Sequence, residues 1–147
     1  MTPEEQLSYD EALKRIEACR STQGTSLDLI NIELSHLPPE IGHLTALQRL
    51  DLWRNQLRSL PPEMGQLTAL KSLNLGSNQL SVLPPEISKL TALTRLDFGS
   101  NRLSRLPPEI GQLTALTELF LHGNPAAESC PVRCPASPSR ICHAVRP

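Results

Sequence analysis

The residues best suited to metal chemistry lie near the C-terminus of the chain. They are Cys130, Cys134, Cys142 and His143. Three thiolates and an imidazole can hold zinc in a tetrahedral site. The spacing here, C-x3-C-x7-C-H, matches no strong zinc signature, and two adjacent ligands are sterically awkward. We therefore predict no metal site, and a zinc site remains the weaker alternative.

Side chains that often catalyse reactions are present, but their spacing does not favour catalysis. The histidines lie in unrelated settings and outside any nucleophile motif: His36, His43, His122 and His143. Four glutamates recur at one fixed interval, which indicates a scaffold role rather than an acid–base pair: Glu40, Glu63, Glu86 and Glu109. The glycines stand singly, so no phosphate-binding loop is expected. We predict a non-enzymatic protein with no catalytic residue, no cofactor and no small-molecule substrate.

Composition limits the kinds of partner. The chain has 147 residues, the length of one domain, and a formal net charge of −1. This balance argues against nucleic acid or an anionic membrane as the partner. No apolar run approaches the roughly 18 residues of a membrane span. The N-terminus, Met-Thr-Pro-Glu-Glu, does not resemble a secretion signal, so we expect a cytoplasmic protein.

Most of the chain consists of copies of one 23-residue repeat. Copies begin at Leu47, Leu70 and Leu93, a broken copy begins at Leu116, and a degenerate copy precedes Leu47. Leucine recurs in fixed columns, one of which is Leu27, Leu50, Leu73, Leu96 and Leu119. A fixed period of this length is the sequence signature of a solenoid.

Each copy predicts a short strand, a turn and a return segment. Leu50-Asp51-Leu52 alternates apolar and polar side chains, as a strand does, whereas Pro61-Pro62 cannot lie inside a central strand. Stacked about 4.8 Å apart, the copies bury their leucines together and align their strands in one parallel sheet. The predicted fold is a right-handed α/β solenoid with this short sheet on its concave face.

An asparagine column marks the turn of each copy: Asn55, Asn78, Asn101 and Asn124. The side-chain amide has two donors and an acceptor, so it can bond turn backbones that would otherwise be buried unpaired. We therefore predict a structural role for this column. In the first copy Ile32 takes the place of the asparagine, as an end repeat under an apolar cap allows.

The N-terminal residues predict a helix over 2–20. Thr2 is a good N-cap, Pro3 suits the first turn, and Glu5 stands where a capping box needs it. The apolar residues that fall roughly on one face are Leu7, Ala12, Leu13, Ile16 and Cys19. We assign residues 1–23 to a helix that covers the open end of the solenoid core. A partner-binding amphipathic helix is the alternative.

The whole pattern, L-x-x-L-x-L-x-x-N-x-L-x-x-L-P-P-E-I-G-x-L-T-x, resembles the leucine-rich repeat, and the resemblance covers about residues 24–124. The 23-residue version is similar to plant intracellular Ras-group-related repeats, to their bacterial counterparts and to the repeats before the GTPase module of Roco proteins. It implies a protein-interaction module. Two alternatives stay open: the recognition region of a larger Roco-type GTPase or kinase, and a purely structural repeat protein.

The strand positions that point away from the core are the ones that vary, and a solenoid binds partners on its concave side. Trp53 is the only tryptophan and falls on this side, and exposed aromatic and arginine side chains are common in binding hot spots. Gly76 and Gly99 beside it are expected to leave room for a partner side chain. The predicted contacts to a protein partner are Arg49, Asp51, Trp53, Asn74, Arg95, Asp97, Phe120 and His122.

The last copy loses the pattern after Asn124-Pro125. The next expected leucine falls on Ser129, and no leucine follows in residues 125–147. This composition, rich in proline and cysteine, predicts an irregular tail rather than a packed repeat. Extracellular repeat proteins often end in a disulfide cap after Asn-Pro, so a disulfide among the tail cysteines is a further alternative, although their spacing does not fit one.

Overall fold

The computed structural model describes residues 1–126 and, as backbone only, residues 141–143. One helix is followed by six short strands: α1 (Pro3–Ser21), β1 (Ser26–Asp28), β2 (Arg49–Asp51), β3 (Ser72–Asn74), β4 (Arg95–Asp97), β5 (Glu118–Phe120) and β6 (Ile141–His143). A single 3-10 helix lies in each of the four return segments: η1 (Pro39–His43), η2 (Pro62–Gln66), η3 (Pro85–Lys89) and η4 (Pro108–Gln112). None of the helices in these residues is long and apolar enough to cross a membrane.

The strands form one parallel sheet in chain order, β1 to β6. Its register follows the repeat, because Leu27 pairs with Leu50 and Leu50 pairs with Leu73. The prediction of an irregular tail over 125–147 falls largely outside the described residues. Within that range Ile141 pairs with Glu118, so the strand spacing of the earlier coils continues although the leucines do not.

The core runs along the whole array behind the sheet. The leucines of the columns are buried except for Leu106, which is partly buried, and Phe98 takes one leucine position with no exposed surface. On α1, Ala12, Ile16 and Cys19 are buried and close the first coil. Burying such aliphatic side chains is the dominant favourable term in folding. The predicted solenoid and its helical cap are therefore confirmed.

The start of α1 has the capping box that the sequence predicts. The Thr2 backbone N–H donates to Oε2 of Glu5 at 2.7 Å, and the Glu5 N–H donates to Oγ1 of Thr2 at 3.2 Å. One apolar position was predicted wrongly: Leu7 is 70% exposed. At 3.6 residues per turn it lies on the side of the helix opposite the buried Ile16. Cys19 is a buried scaffold residue, and burial raises the pKa of its thiol.

The asparagine column joins each coil to the one before it. Nδ2 of Asn78 donates to the carbonyl oxygens of Leu52 and Leu75, both at 3.0 Å. Its Oδ1 accepts from the Leu57 N–H at 3.0 Å. Asn55, Asn101 and Asn124 make the equivalent bonds in their own coils. The predicted structural role of this column is confirmed.

The residue before each asparagine position has a left-handed backbone. The φ angles are 51° at Asn31, 59° at Arg54, 54° at Ser77, 54° at Ser100 and 69° at Gly123. This conformation is comfortable for glycine and tolerable for asparagine, whereas other residues are strained by about 1 kcal/mol or more. The tight corner of the coil imposes it on whichever residue stands there.

Candidate protein-binding face

The concave face consists of the outward side chains of β1–β5 and the turn residues that follow them. Its three outward rows, read from the first coil to the fifth, begin at Ser26, Asp28 and Ile30 and recur every 23 residues. The positions of the eight predicted contact residues on this face follow from the strand registers. Their surroundings differ, and some are already engaged within the chain.

Trp53 lies on this face with 40% of its surface exposed. Its ring also covers Gly76 on the next coil, because a Cβ built on Gly76 would be 3.1 Å from Cδ1 of the indole. The expectation that Gly76 leaves room for a partner side chain is therefore wrong. The glycine instead leaves room for Trp53 of its own chain, which rests on the neighbouring strand end.

His122 uses the second glycine in the same way, from the opposite direction. A Cβ on Gly99 would overlap the imidazole ring of His122, and Gly99 is buried. The expected space for a partner at Gly99 is therefore also occupied. Trp53 leans towards the C-terminal coils and His122 towards the N-terminal coils, so the two rings cover two neighbouring glycines.

In the row of acidic and amide residues, three side chains accept hydrogen bonds from backbone N–H groups. Oδ1 of Asp51 accepts from the Trp53 N–H at 3.1 Å, and Oδ1 of Asp97 accepts from the Gly99 N–H at 2.7 Å. Asn74 does the same for Gly76 at 3.0 Å. Asp51 is only 9% exposed. The sequence interpretation missed this role, which a polar residue two positions before a turn N–H could have indicated.

A charge cluster occupies the C-terminal end of the face. Nη1 of Arg95 lies 3.2 Å from Oε2 of Glu118. The guanidinium also lies over the ring of Phe120, 5.0 Å from its centroid. Two predicted contact residues, Arg95 and Phe120, are thus brought together, and Glu118 joins them. Much of the charge of Arg95 is balanced inside the chain.

A second stacked arginine lies at the N-terminal end and was not among the predicted contacts. The guanidinium of Arg54 lies over the Trp53 ring, 5.3 Å from its centroid. Arg54 has no carboxylate within ion-pair distance among the residues that the structure describes. Arg49 has one, since its Nη2 lies 3.9 Å from Oδ2 of Asp51. The sequence signal for Arg54 was its place in the left-handed column next to the tryptophan.

The side chains of the tail cysteines lie outside the part of the chain that the structure describes. Cys130 and Cys134 lie outside the described residues, and only the backbone of Cys142 and His143 is described. The zinc and disulfide alternatives thus stay predictions. In the part of the chain with described side chains, no three His, Cys, Asp or Glu residues lie close enough together to hold a metal ion.

Comparison with known proteins adds the family. The leucine rich repeat model matches residues 25–80, 45–103 and 68–125. A leucine-rich repeat protein of Leptospira interrogans, LIC12759, is similar at 49% identity and a TM-score of 0.62, over 63% of this chain and 24% of that one. The functional domain of InlJ from Listeria monocytogenes, which includes a cysteine ladder, is similar at 29% identity and a TM-score of 0.61, over 71% of this chain and 22% of that one.

The chain therefore spans about a quarter of the length of these solved structures. No curated protein matches it. The three overlapping matches cover the chain continuously from residue 25 to residue 125, which is more than half of it. The protein belongs to the leucine-rich repeat family.

Proposed function

We propose that this protein is a non-enzymatic interaction module that binds a protein partner on its concave face. The observation that carries the proposal is Trp53, which keeps 40% of its surface exposed in a chain with 3% aromatic residues. A large exposed ring among arginine and aspartate side chains has the composition of a binding hot spot. Leucine-rich repeats commonly act as interaction modules, and solenoids commonly bind partners on this side.

The predicted contacts divide into two groups. Arg49, Trp53, Arg95 and His122 present side chains that a partner can touch directly. Asp51, Asn74 and Asp97 use one oxygen on the backbone, so we propose that they fix the strand ends and offer only their second polar atom. Phe120 contributes its ring beneath Arg95. The interface would thus have an aromatic and basic character with fixed acceptors between.

A cross-linking pull-down from native lysate tests the proposal. The Trp53→Ala, Arg95→Ala double variant should lose capture of its partner, because it removes the exposed ring and one of the concave arginines. The matched control is Arg58→Ala, Val82→Ala, which removes one arginine and one exposed apolar residue outside the sheet. Equal capture by the double variant and the wild type would show that the face is assigned wrongly.

Narrower features belong to the same proposal. We infer repeats of the plant intracellular Ras-group-related or Roco type, a cytoplasmic location and a role in signalling, from the sequence pattern alone. The recognition region of a Roco-type enzyme remains the alternative. A P-loop sequence encoded downstream of this chain in the genome would favour that alternative, and fractionation of native cells would test the location.

A further inference from the structure

We propose that Arg54, stacked on Trp53, is the anchor on the concave face for an acidic side chain of the partner protein. This inference rests on the proposed function, because it names the chemistry that the same face recognises. It adds a residue that the sequence pattern did not select.

The first support is the geometry of the pair. The Arg54 guanidinium lies 5.3 Å from the centroid of the Trp53 ring, within the range of a cation–π contact. This contact restrains the guanidinium, and no ion pair with a described residue engages its N–H groups. A planar fork of donors held in this way suits a carboxylate, which can accept two parallel hydrogen bonds.

The second support is the difference in ion pairing among the arginines of this face. Arg95, also stacked on a ring, has Glu118 at 3.2 Å, and Arg49 has Asp51 at 3.9 Å. Among the residues with described side chains, no carboxylate forms an ion pair with Arg54. A partner carboxylate at Arg54 therefore does not have to displace one from the chain itself.

The third support is the backbone. Arg54 has a φ of 59°, in a column whose other members are small or are asparagine: Asn31, Ser77, Ser100 and Gly123. The strain of this corner comes from the Cβ atom, so it is the same for arginine as for the serines of the next two coils. The corner thus explains the φ angle but not the choice of arginine.

The neighbouring carboxylate, Asp51, does not neutralise the charge of Arg54. Its Oδ1 accepts from the Trp53 N–H at 3.1 Å, its other oxygen lies near Arg49, and the residue is 9% exposed. Trp53 is in contact with Arg54 and keeps 40% of its surface exposed, so the partner segment should carry an apolar residue next to its acidic one. Both contacts would be made at the C-terminal ends of β2 and β3.

Selection from a random twelve-residue peptide library displayed on phage tests the proposal. The bait is the purified full chain, and bound peptides are resynthesised with a fluorescent label and titrated by fluorescence anisotropy. We expect peptides with an aspartate or glutamate beside an apolar residue. Their affinity should fall about tenfold or more for Arg54→Gln and less for Arg54→Lys, which keeps the charge but loses the fork.

The matched control is Arg58→Gln, which removes an exposed arginine that follows the same strand and lies outside the sheet, and affinity should change less than threefold. A Gln replacement of the peptide's acidic residue should reproduce the Arg54→Gln loss. If the peptides depend on Trp53, as judged by Trp53→Ala, but not on Arg54 or on their own acid, this inference is wrong and the binding face stands. If no peptide depends on any concave residue, both proposals fail.

Discussion

The two halves of the concave face carry the same kinds of side chain and differ in how many are already paired. In the N-terminal half, Trp53 rests over Gly76 and Arg54 stacks on the ring with no ion pair among the described residues. In the C-terminal half, Arg95 stacks on Phe120 and is balanced by Glu118. The kinds of aromatic and charged side chain alone would therefore not distinguish the two halves.

A repeat can therefore expose a side chain that is already paired with another residue of the same chain. Pairing within the chain lowers what a partner gains, because the partner must compete with an existing contact. The N-terminal half is therefore the better candidate for partner recognition. The following predictions test this contrast, beginning with the change that affects both halves together.

The largest effect is expected for Asn78→Ala, in the coil between the two halves. The substitution removes the acceptor of the buried Leu57 N–H and one of the two asparagine donors to each of the Leu52 and Leu75 carbonyls. The Leu57 N–H would be left unpaired, whereas the two carbonyls keep bonds from Asn55 and Asn101. The free energy of unfolding should therefore fall by about 2 kcal/mol. Urea unfolding measures this, with Gln56→Ala on the exposed surface as the control. A loss below about 1 kcal/mol would contradict the structural role.

The glycines allow each half to be changed separately. Gly76→Ala should displace the indole of Trp53 from its position over residue 76, because the new methyl group would be 3.1 Å from Cδ1. Trp53 emission should then shift to longer wavelength as the ring becomes more exposed. Gly99→Ala should displace His122 and leave the emission unchanged. Both substitutions should change stability by no more than about 1 kcal/mol, since the rings can move.

If Gly99→Ala shifts the emission as much as Gly76→Ala does, the positions of the Trp53 and His122 rings are coupled. The division of the face into halves is then wrong. Fluorescence spectra of the two variants at equal concentration decide this, with the denatured spectra as references. The indole of Trp53 is the only one in the chain, so the signal has one source.

A smaller effect on stability is expected for Glu118→Gln, which should make the C-terminal half resemble the N-terminal one. The pair with Arg95 is largely exposed, so its loss should cost about 0.5 kcal/mol or less. Arg95 would then be available, and acidic peptides should bind in a manner sensitive to Arg95→Gln. Titration of the two variants, singly and combined, measures this. No gain in Arg95 dependence would mean that pairing does not control the contrast.

The smallest effect is expected from mild acid, which acts at the N-terminal end. Backbone hydrogen bonding at Thr2 lowers the pKa of Glu5, and a hydrogen bond from Arg15 lowers the pKa of Glu11. A lowered pKa means stability that is fully present above the ordinary glutamate pKa of about 4.3 and is lost as pH falls through the folded value. Amide exchange, corrected for intrinsic rates, should lose protection in α1 and β1 before β4.

The control for this acid effect is the double variant Glu5→Gln, Glu11→Gln, in which neither side chain titrates. Glutamine can still accept the capping bond, so the helix should persist and its protection should become independent of pH in this range. The same acid response in the double variant would exclude these two carboxylates as its cause.

Much of the scaffold followed from the sequence. The 23-residue period placed Leu50 and Leu73 in one buried column, the proline pair excluded a long strand, and the Asn78 column predicted the buried turn bonds. These features depend on spacing and side-chain chemistry alone, so a linear pattern is sufficient. Leu7 was the exception, because it lies on the side of α1 opposite the buried Ile16.

The chain by itself determined which residues face inward and which face outward, since a period of two along each strand assigns every side chain to one side of the sheet. Only the tertiary structure decided what the outward residues do. Contacts of a few ångströms between coils decide where the rings of Trp53 and His122 lie. Local contacts also decide the turn hydrogen bonds of Asp51 and Asp97 and the difference in ion pairing between Arg54 and Arg95. Such contacts follow from side-chain rotamers and strand stacking, which no spacing along the chain specifies.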